Sequence, residues 1–137
     1  MPPRPIAAAA VIAVCATLVG CVPPGFACPA IMYVTPGPVV VEIDPALVGD
    51  GSLAACLGKQ CKPTTISPAE SGVWRVPDAP PYSAQSVDGV DPDAGVRIVI
   101  RDATGATVRD EWREIPFTRD SPGPCPGPIS LQPVVLD

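Results

Sequence analysis

The cysteines of this chain restrict it to a small domain held together by disulfide bonds. Six cysteines occur in 137 residues, and Cys15 and Cys21 lie within or directly after an apolar N-terminal stretch. The other four are Cys28, Cys56, Cys61 and Cys125. An even number of cysteines in an exported domain of this size is typical of a disulfide framework.

Four cysteines allow three pairings, and the spacing favours one of them. The segment between Cys56 and Cys61, Leu57-Gly58-Lys59-Gln60, can form a tight turn that brings these two cysteines within bridging distance. Cys28 then pairs with Cys125 and ties the first residues of the domain to the last. A bridge that closes a loop of about 100 residues contributes on the order of 4.7 kcal/mol in the chain-entropy model. We therefore predict two disulfides, with the long one the more stabilising.

Zinc binding and redox activity are the alternative roles for these cysteines. Structural zinc sites usually draw their ligands as two close pairs, whereas only one pair is close here and the chain contains no histidine. The cysteines of redox-active pairs are usually separated by two residues and begin a helix, and Cys56 and Cys61 do neither. Structural bridges are the favoured interpretation.

Residues 1–20 have the features of an export signal. Arg4 precedes an uncharged apolar run of 14 residues from Ile6 to Val19. This run is shorter than the roughly 20 residues that a helix needs to cross a bilayer. A buried core helix is the alternative, but a run without a polar face has little to cover it in so small a chain. We expect a helical signal peptide that is removed from the mature protein.

The end of this signal resembles the lipobox of bacterial lipoproteins. The matching residues are Leu18, Val19, Gly20 and Cys21. In that family a transferase attaches diacylglycerol to the cysteine sulfur, and a peptidase then cuts before the cysteine. The resemblance implies a palmitate-type lipid anchor on Cys21, a cleavage motif at residues 18–20, and a location on the extracytoplasmic face of the cell membrane. The alternative is a secreted protein that is cut elsewhere and leaves Cys21 unpaired.

The remaining residues are sufficient for one compact domain. A tether rich in Pro and Gly covers residues 21–27, and the domain covers residues 28–137. Apolar residues alternate or form short β-branched runs bounded by Pro and Gly, which favours strands over helices. We predict an all-β fold, a single small β-sandwich with two disulfides. The candidate strands are 30–35, 39–43, 53–57, 61–65, 72–76, 96–101, 107–115 and 129–136.

The clearest strand pair is joined at Asp102-Ala103-Thr104-Gly105, where we expect a type I turn followed by a glycine with positive φ. In the first strand Val96, Ile98 and Ile100 should face inward, while Arg97 and Arg101 face water. The second strand should place its apolar residues on one face and its charges on the other, water-facing side, where opposite charges can pair across the strands. The apolar residues are Val108 and Trp112, and the charged ones are Arg109, Glu111 and Arg113.

Proline and glycine restrict the rest of the domain. Pro133 cannot donate a backbone hydrogen bond, so it confines the last strand to a sheet edge or to a position where no donor is needed. The segments 77–95 and 120–128 are rich in Pro and Gly and are expected to be loops.

This layout resembles small actinobacterial lipoproteins of unknown function. The shared features are a lipobox with a cysteine soon after it, a Val-rich early strand, a Cys-x4-Cys turn, a strand pair joined at Asp-x-x-Gly and a late cysteine flanked by Pro and Gly. The strand pair from Val96 to Trp112 is also similar to the transthyretin-like domains attached to carboxypeptidases. These resemblances imply an immunoglobulin-like or transthyretin-like sandwich without a catalytic residue.

The composition argues against several classes of function. Without histidine, the chain cannot form a Ser-His-Asp or Cys-His catalytic arrangement. After removal of residues 1–20, eight basic and fourteen acidic side chains remain, which argues against nucleic acid as a partner and against electrostatic adhesion to anionic lipid. We expect no cofactor.

Three acidic residues, Asp88, Asp91 and Asp93, are weak candidates for a calcium site. They lack the closing Glu of a helix-loop-helix calcium loop, so a solvated turn is the favoured interpretation. Trp74 and Trp112 are expected in the core, whereas Tyr82 is free to contact a ligand.

Taken together, these features predict a non-catalytic lipoprotein of the cell envelope. Its domain would act as a binding or structural module, held at the membrane by lipid and able to work beside an envelope protein partner. An accessory enzyme and a ligand carrier are the alternatives, and both need a cleft or cavity with converging polar groups.

Overall fold

A computed structural model describes residues 28, 33, 35, 37–84, 89–121 and 123–137. The expected signal, the lipobox with Cys21, the tether and most of the expected strand 30–35 therefore lie outside the described residues. Within the described part of the chain, ten strands, one four-residue helix and one short 3-10 turn are present. The strands are β1 (Val39–Ile43), β2 (Ser52–Leu57), β3 (Thr64–Ile66), β4 (Pro68–Glu70), β5 (Val73–Val76), β6 (Val96–Arg101), β7 (Thr107–Arg113), β8 (Phe117–Arg119), β9 (Ile129–Leu131) and β10 (Val134–Leu136).

The strands form a sandwich around one core. In the described residues, one sheet has the order β10-β1-β5-β4, a second has the order β3-β2-β6-β7, and β8 pairs with β9 alone. β1 and β10 are parallel, and the other strand pairs are antiparallel. Most buried residues of the two sheets belong to one hydrophobic cluster. The prediction of a small all-β sandwich with two disulfides is confirmed.

The core follows from the alternation of side chains along the strands. In β1 the residues Val39, Val41 and Ile43 are buried, and the residues between them are partly exposed. Trp74 on β5 is only 5% exposed and belongs to the same cluster, as predicted. Burial of an apolar side chain of this size stabilises a fold by about 1.5–3 kcal/mol.

The sandwich has two ends, which we call the entry end and the far end. The strand pairings place Val39, Val76, Leu57 and Val96 at the entry end, where the chain enters β1. The far end holds the turns after β1 and β6 and helix α1 (Pro45–Val48). Asp44 caps α1, since its side chain accepts a 2.9 Å hydrogen bond from the Ala46 backbone N–H.

Strands β8 and β9 form an arm, residues 117–131, that begins at the entry end after β7. Phe117 pairs with Leu131 and Arg119 pairs with Ile129. The Gln132 N–H donates to the Pro116 carbonyl at 2.7 Å and closes the base of the arm. The loop between the two strands carries Cys125.

Proline explains the main differences from the predicted strands. The expected strand 129–136 is divided at Pro133 into β9, which pairs with β8, and β10, which pairs with β1. β10 is an edge strand, as Pro133 predicted. The expected strand 61–65 begins only at Thr64, because the residues before it belong to the disulfide turn and end in Pro63. Helix α1 and strands β4 and β8 were not predicted.

The predicted faces of β7 were wrong, and a bulge is the reason. Arg101 pairs with Thr107 and Ile100 pairs with Arg109, so Val108 is the extra residue. A shift of one residue reverses the face of every residue that follows. Glu111 therefore lies opposite the buried Ile98, on the core side of the sheet, together with Arg109 and Arg113.

The ion pair across β6 and β7 also involves a residue that was not expected on the outer face. Trp112 lies opposite Arg97 on the outer face, and Val108 is 60% exposed. The cross-strand ion pair joins Arg97 to Asp110, with two contacts of 2.9 and 2.7 Å between the guanidinium and the carboxylate.

Candidate functional site

The bridge between Cys28 and Cys125 fixes the start of the domain to the arm. The two Cα atoms are 5.3 Å apart and the bonded residues are 97 positions apart in sequence. Cys28 is exposed, whereas Cys125 is half-buried in the loop at the tip of the arm. The predicted pairing is confirmed, and so is the bridge between Cys56 and Cys61. The chain that follows Cys21 is therefore attached to the arm.

The loop that holds Cys125 is shaped by its own hydrogen bonds. Asp120 N–H donates to the Pro128 carbonyl at 3.0 Å, and Gly127 N–H donates to the Ser121 hydroxyl oxygen at 3.0 Å. A side chain at Gly127 would overlap the Asp120 carbonyl, so only glycine allows this close approach of the backbone. These contacts give the disulfide a defined place at the tip of the arm.

The two ends of the sandwich differ in charge. Basic residues concentrate at or near the entry end: Lys59, Lys62, Arg75, Arg97, Arg113 and Arg119. Acidic residues of the described chain also lie there, at Asp78, Asp91, Asp93, Glu114 and Asp120, so the entry end is close to neutral. The far end has more acidic than basic residues, since Arg101 and Arg109 lie there with six acids: Glu42, Asp44, Asp50, Glu70, Asp102 and Asp137.

Trp112 lies at the entry end and is held by contacts within the protein. Its Nε1–H donates a 2.9 Å hydrogen bond to the Ala94 carbonyl, and the Lys59 ammonium lies 4.3 Å from the ring centroid. The ring also rests on Gly95. Trp112 is thus half-buried on the outer face of the sheet. It lies outside the core cluster, so the expectation that it belongs to the core was wrong. A ring occupied in this way is poorly suited to stack against a sugar.

Asp91 and Asp93, two of the candidate calcium ligands, do not form a shared site. The Asp91 carboxylate accepts a 3.0 Å hydrogen bond from the Asp93 N–H and begins the 3-10 turn Pro92–Ala94. Both side chains are exposed, and Asp88 lies outside the described residues. No group of three His, Cys, Asp or Glu residues suited to holding a metal occurs among the residues that the structure describes.

Tyr82 is not free to contact a ligand, contrary to the expectation. Its ring is half-buried against the core, and its hydroxyl lies 3.3 Å from the Thr65 carbonyl oxygen. The Tyr82 carbonyl also accepts a 2.8 Å hydrogen bond from the Leu57 N–H. Tyr82 therefore closes the entry end of the sandwich.

Two clefts formed by described residues open at the far end. One has a volume of about 330 Å³, and residues such as Pro45, Leu53, Ile66 and Trp74 line it without any charged side chain. The other, of about 560 Å³, carries the acidic residues Glu42, Asp44 and Asp137. Neither cleft brings together an acid with a basic group that would serve as its partner in proton transfer.

Phe117 and Arg119 of the arm were not predicted as site residues from the sequence. Phe117 is 40% exposed, and the Arg119 guanidinium carbon lies 5.9 Å from the centroid of its ring. The signal was weak because the arm strands are three residues long and pair only with each other.

The described residues contain no helix with the length and apolar character of a membrane span. Comparison of the chain with protein-family models, curated proteins and solved structures gave no match.

Proposed function

We propose that this chain is a lipoprotein of the cell envelope, anchored to the membrane through lipid on Cys21, and that its sandwich is a non-catalytic binding or structural module. One relationship carries this proposal. The lipobox-like end of the apolar stretch at Cys21 is followed, seven residues later, by an exposed cysteine that is bonded to the arm. The fold thus begins almost directly after the residue that would carry the lipid.

The disulfides support export. Disulfides form and persist in oxidising compartments and are rare in the cytosol. The long bridge closes most of the domain, and the short one has a fully buried member, Cys56. Both bridges fit a protein that folds outside the cytoplasm.

Lipid on one cysteine is sufficient for stable anchoring when it carries more than one acyl chain. Each buried methylene contributes about 0.8 kcal/mol, so a single chain binds weakly and reversibly, whereas two chains hold a protein in place. The diacylglycerol implied by the lipobox supplies two chains. The domain then needs no membrane-spanning segment of its own.

The two clefts at the far end support a role in contact. The cleft lined by Leu53 and Trp74 has no charged side chain, and every charged side chain of the neighbouring cleft is acidic. Histidine, the most common general acid and base, does not occur in the chain. A non-catalytic module of this kind would act by binding another component of the cell envelope.

Two single substitutions in the full chain test the anchor. The Cys21→Ser variant removes the thiol that would accept lipid, and Cys15→Ser removes a neighbouring thiol within the same apolar region. Both are expressed in a bacterium that processes lipoproteins, with labelled palmitate in the medium. We expect the Cys21→Ser protein to lose the label and to leave the membrane fraction, and Cys15→Ser to keep both. Retention of label and membrane association by Cys21→Ser would contradict the proposal.

A further inference from the structure

We propose that the entry end of the sandwich rests on the bilayer surface, with Phe117 and Arg119 of the arm in the interfacial layer and the acidic far end directed away from the membrane. This inference rests on the lipid anchor proposed for Cys21. It adds the orientation of the domain and a contact surface for phospholipid.

The length of the chain places the arm close to the anchor. Seven peptide units separate Cys21 from Cys28, and seven extended units span at most about 25 Å. Cys28 is bonded to Cys125 at the tip of the arm. Four further units lead from Cys125 to Ile129, the partner of Arg119, and span at most about 14 Å. Phe117 and Arg119 therefore lie within reach of the membrane surface.

The chemistry of the two side chains suits that surface. Phenylalanine is one of the apolar residues that peripheral segments bury at the boundary between headgroups and acyl chains, and arginine attracts the phosphates of anionic lipid. Phe117 is 40% exposed, although transfer of a phenylalanine ring from water to an apolar environment is favourable in free energy. Arg119 lies beside the ring and is exposed as well, so a cation and an apolar surface are presented together.

The difference in charge between the ends favours the same orientation. An anionic bilayer repels the far end, where acidic residues such as Asp44, Asp50 and Asp137 predominate. The entry end is close to neutral and carries both lysines. The tether lets the domain approach to within the Debye length of about 10 Å over which this difference in charge acts.

The matched probes for this orientation are tryptophans introduced at two exposed apolar positions. Phe117 lies on the arm, and Val108 lies at the far end of β7 beside the hairpin turn. The variants Phe117→Trp and Val108→Trp are prepared as the full lipidated protein and reconstituted into phosphatidylglycerol vesicles. The vesicles contain phosphatidylcholine brominated near the glycerol end of its acyl chains. The unsubstituted protein gives the contribution of Trp74 and Trp112.

Bromine quenches only an indole that reaches the acyl region. We expect the added emission of Phe117→Trp to be lost in brominated vesicles and that of Val108→Trp to be unchanged. A further Arg119→Glu substitution in Phe117→Trp should restore the emission, because the carboxylate repels the anionic headgroups. Equal quenching at both positions, or quenching at Val108→Trp alone, would overturn the proposed orientation.

Sedimentation of the same vesicles separates this inference from the proposed function. Protein that sediments with the vesicles and shows no quenching at position 117 is anchored with its arm in solvent or against a second copy, which refutes the orientation alone. Protein that carries no lipid and stays in the supernatant refutes the anchor and the orientation together.

Discussion

The indole ring of Trp112 lies directly on Gly95, so closely that a side chain on this glycine would overlap the ring. A Cβ atom at position 95 would meet Cε2, Cζ2 and Nε1 of the tryptophan. Gly95 also has a φ of +70°, a conformation that side chains disfavour. The backbone of this one residue thus determines where Trp112 lies, and with it the contact to Lys59.

The first prediction separates the ring contact from the backbone conformation. Gly95→Ala should destabilise the domain by about 2–4 kcal/mol, because the methyl group must displace the ring and because φ is positive. Gly105, at φ +86°, has no atom near its missing side chain, so Gly105→Ala should cost only about 1–2 kcal/mol for the backbone. Urea unfolding followed by tryptophan emission measures both. Equal losses would show that the ring moves aside freely.

The second prediction concerns the two disulfides. Replacement of both members of a pair by Ala removes the bridge without leaving a free thiol. The Cys28–Cys125 pair closes the longer loop, and its removal should lower the free energy of unfolding by about 4–5 kcal/mol, against about 2 kcal/mol for the loop of the Cys56–Cys61 pair. Denaturant unfolding of the two double variants measures which bridge contributes more to the free energy of unfolding. A larger loss on removal of the Cys56–Cys61 bridge would contradict the prediction.

The third prediction concerns acid sensitivity at the β6–β7 turn. The Asp102 carboxylate accepts hydrogen bonds from the Thr104 hydroxyl and from the backbone N–H groups of Thr104 and Ala106, at 2.6, 2.9 and 3.0 Å. These bonds, that of the Thr104 hydroxyl first, lower the pKa of Asp102 below its ordinary value. A carboxyl whose pKa is lowered in the folded state stabilises the fold above its unfolded pKa, and this contribution is lost as the pH falls through the folded pKa.

Asp102→Asn should therefore reduce stability at neutral pH and weaken the decline of stability in acid. Unfolding by urea over a series of pH values below neutrality measures this. Asp50→Asn removes the same charge from the same end and serves as the control for net charge. An unchanged acid profile in Asp102→Asn would show that the turn does not depend on the ionised carboxylate.

The fourth prediction compares two carboxylates that are neighbours on β7. Glu111 lies on the core side between two arginines, at 3.1 Å from Arg109 and 3.2 Å from Arg113, and only 22% of its side chain is exposed. Its Oε1 atom is buried and has no hydrogen-bond partner among the described residues. The ion pairs with the two arginines therefore offset most of the cost of removing this carboxylate from water. Glu111→Gln should lower the free energy of unfolding by about 1–3 kcal/mol because two cations are then left in a half-buried site.

Asp110 provides the contrast, because its pair with Arg97 is in contact with solvent. The hydrogen bond from Arg97 holds the pKa of Asp110 below its ordinary value. Asp110→Asn should cost less than Glu111→Gln, and its cost should shrink in high salt, which screens exposed charges. Thermal unfolding at low and high ionic strength compares the variants, and a larger loss from Asp110→Asn would contradict the assignment of faces on β7.

Patterns among neighbouring residues were sufficient to predict two strands, both disulfides and one turn. The alternation in Val39–Ile43 and Val96–Arg101 gave both strands with their observed bounds, and the spacing of the cysteines gave both bridges. Gly105 adopts the positive φ expected for the turn. In each case a few neighbouring residues carry the physical cause.

The remainder depends on contacts between distant parts of the chain. The bulge at Val108 decides which face of β7 meets the core, and the residues around it give no sign of the extra position. Strands β8 and β9 are too short to show a period, and β9 is separated from β10 only by Gln132 and Pro133. The residues proposed to contact the membrane were missed for this reason, since their placement follows from the arm and the long disulfide.

Lipid attachment at Cys21 can be measured by mass spectrometry of the mature protein, isolated from membranes of a lipoprotein-processing bacterium. We expect an N-terminal peptide that begins at Cys21 and carries the mass of a diacylglycerol thioether, with Cys28 and Cys125 recovered as one disulfide-linked pair. A protein that retains Met1, or one whose Cys21 carries an unmodified thiol, would contradict it.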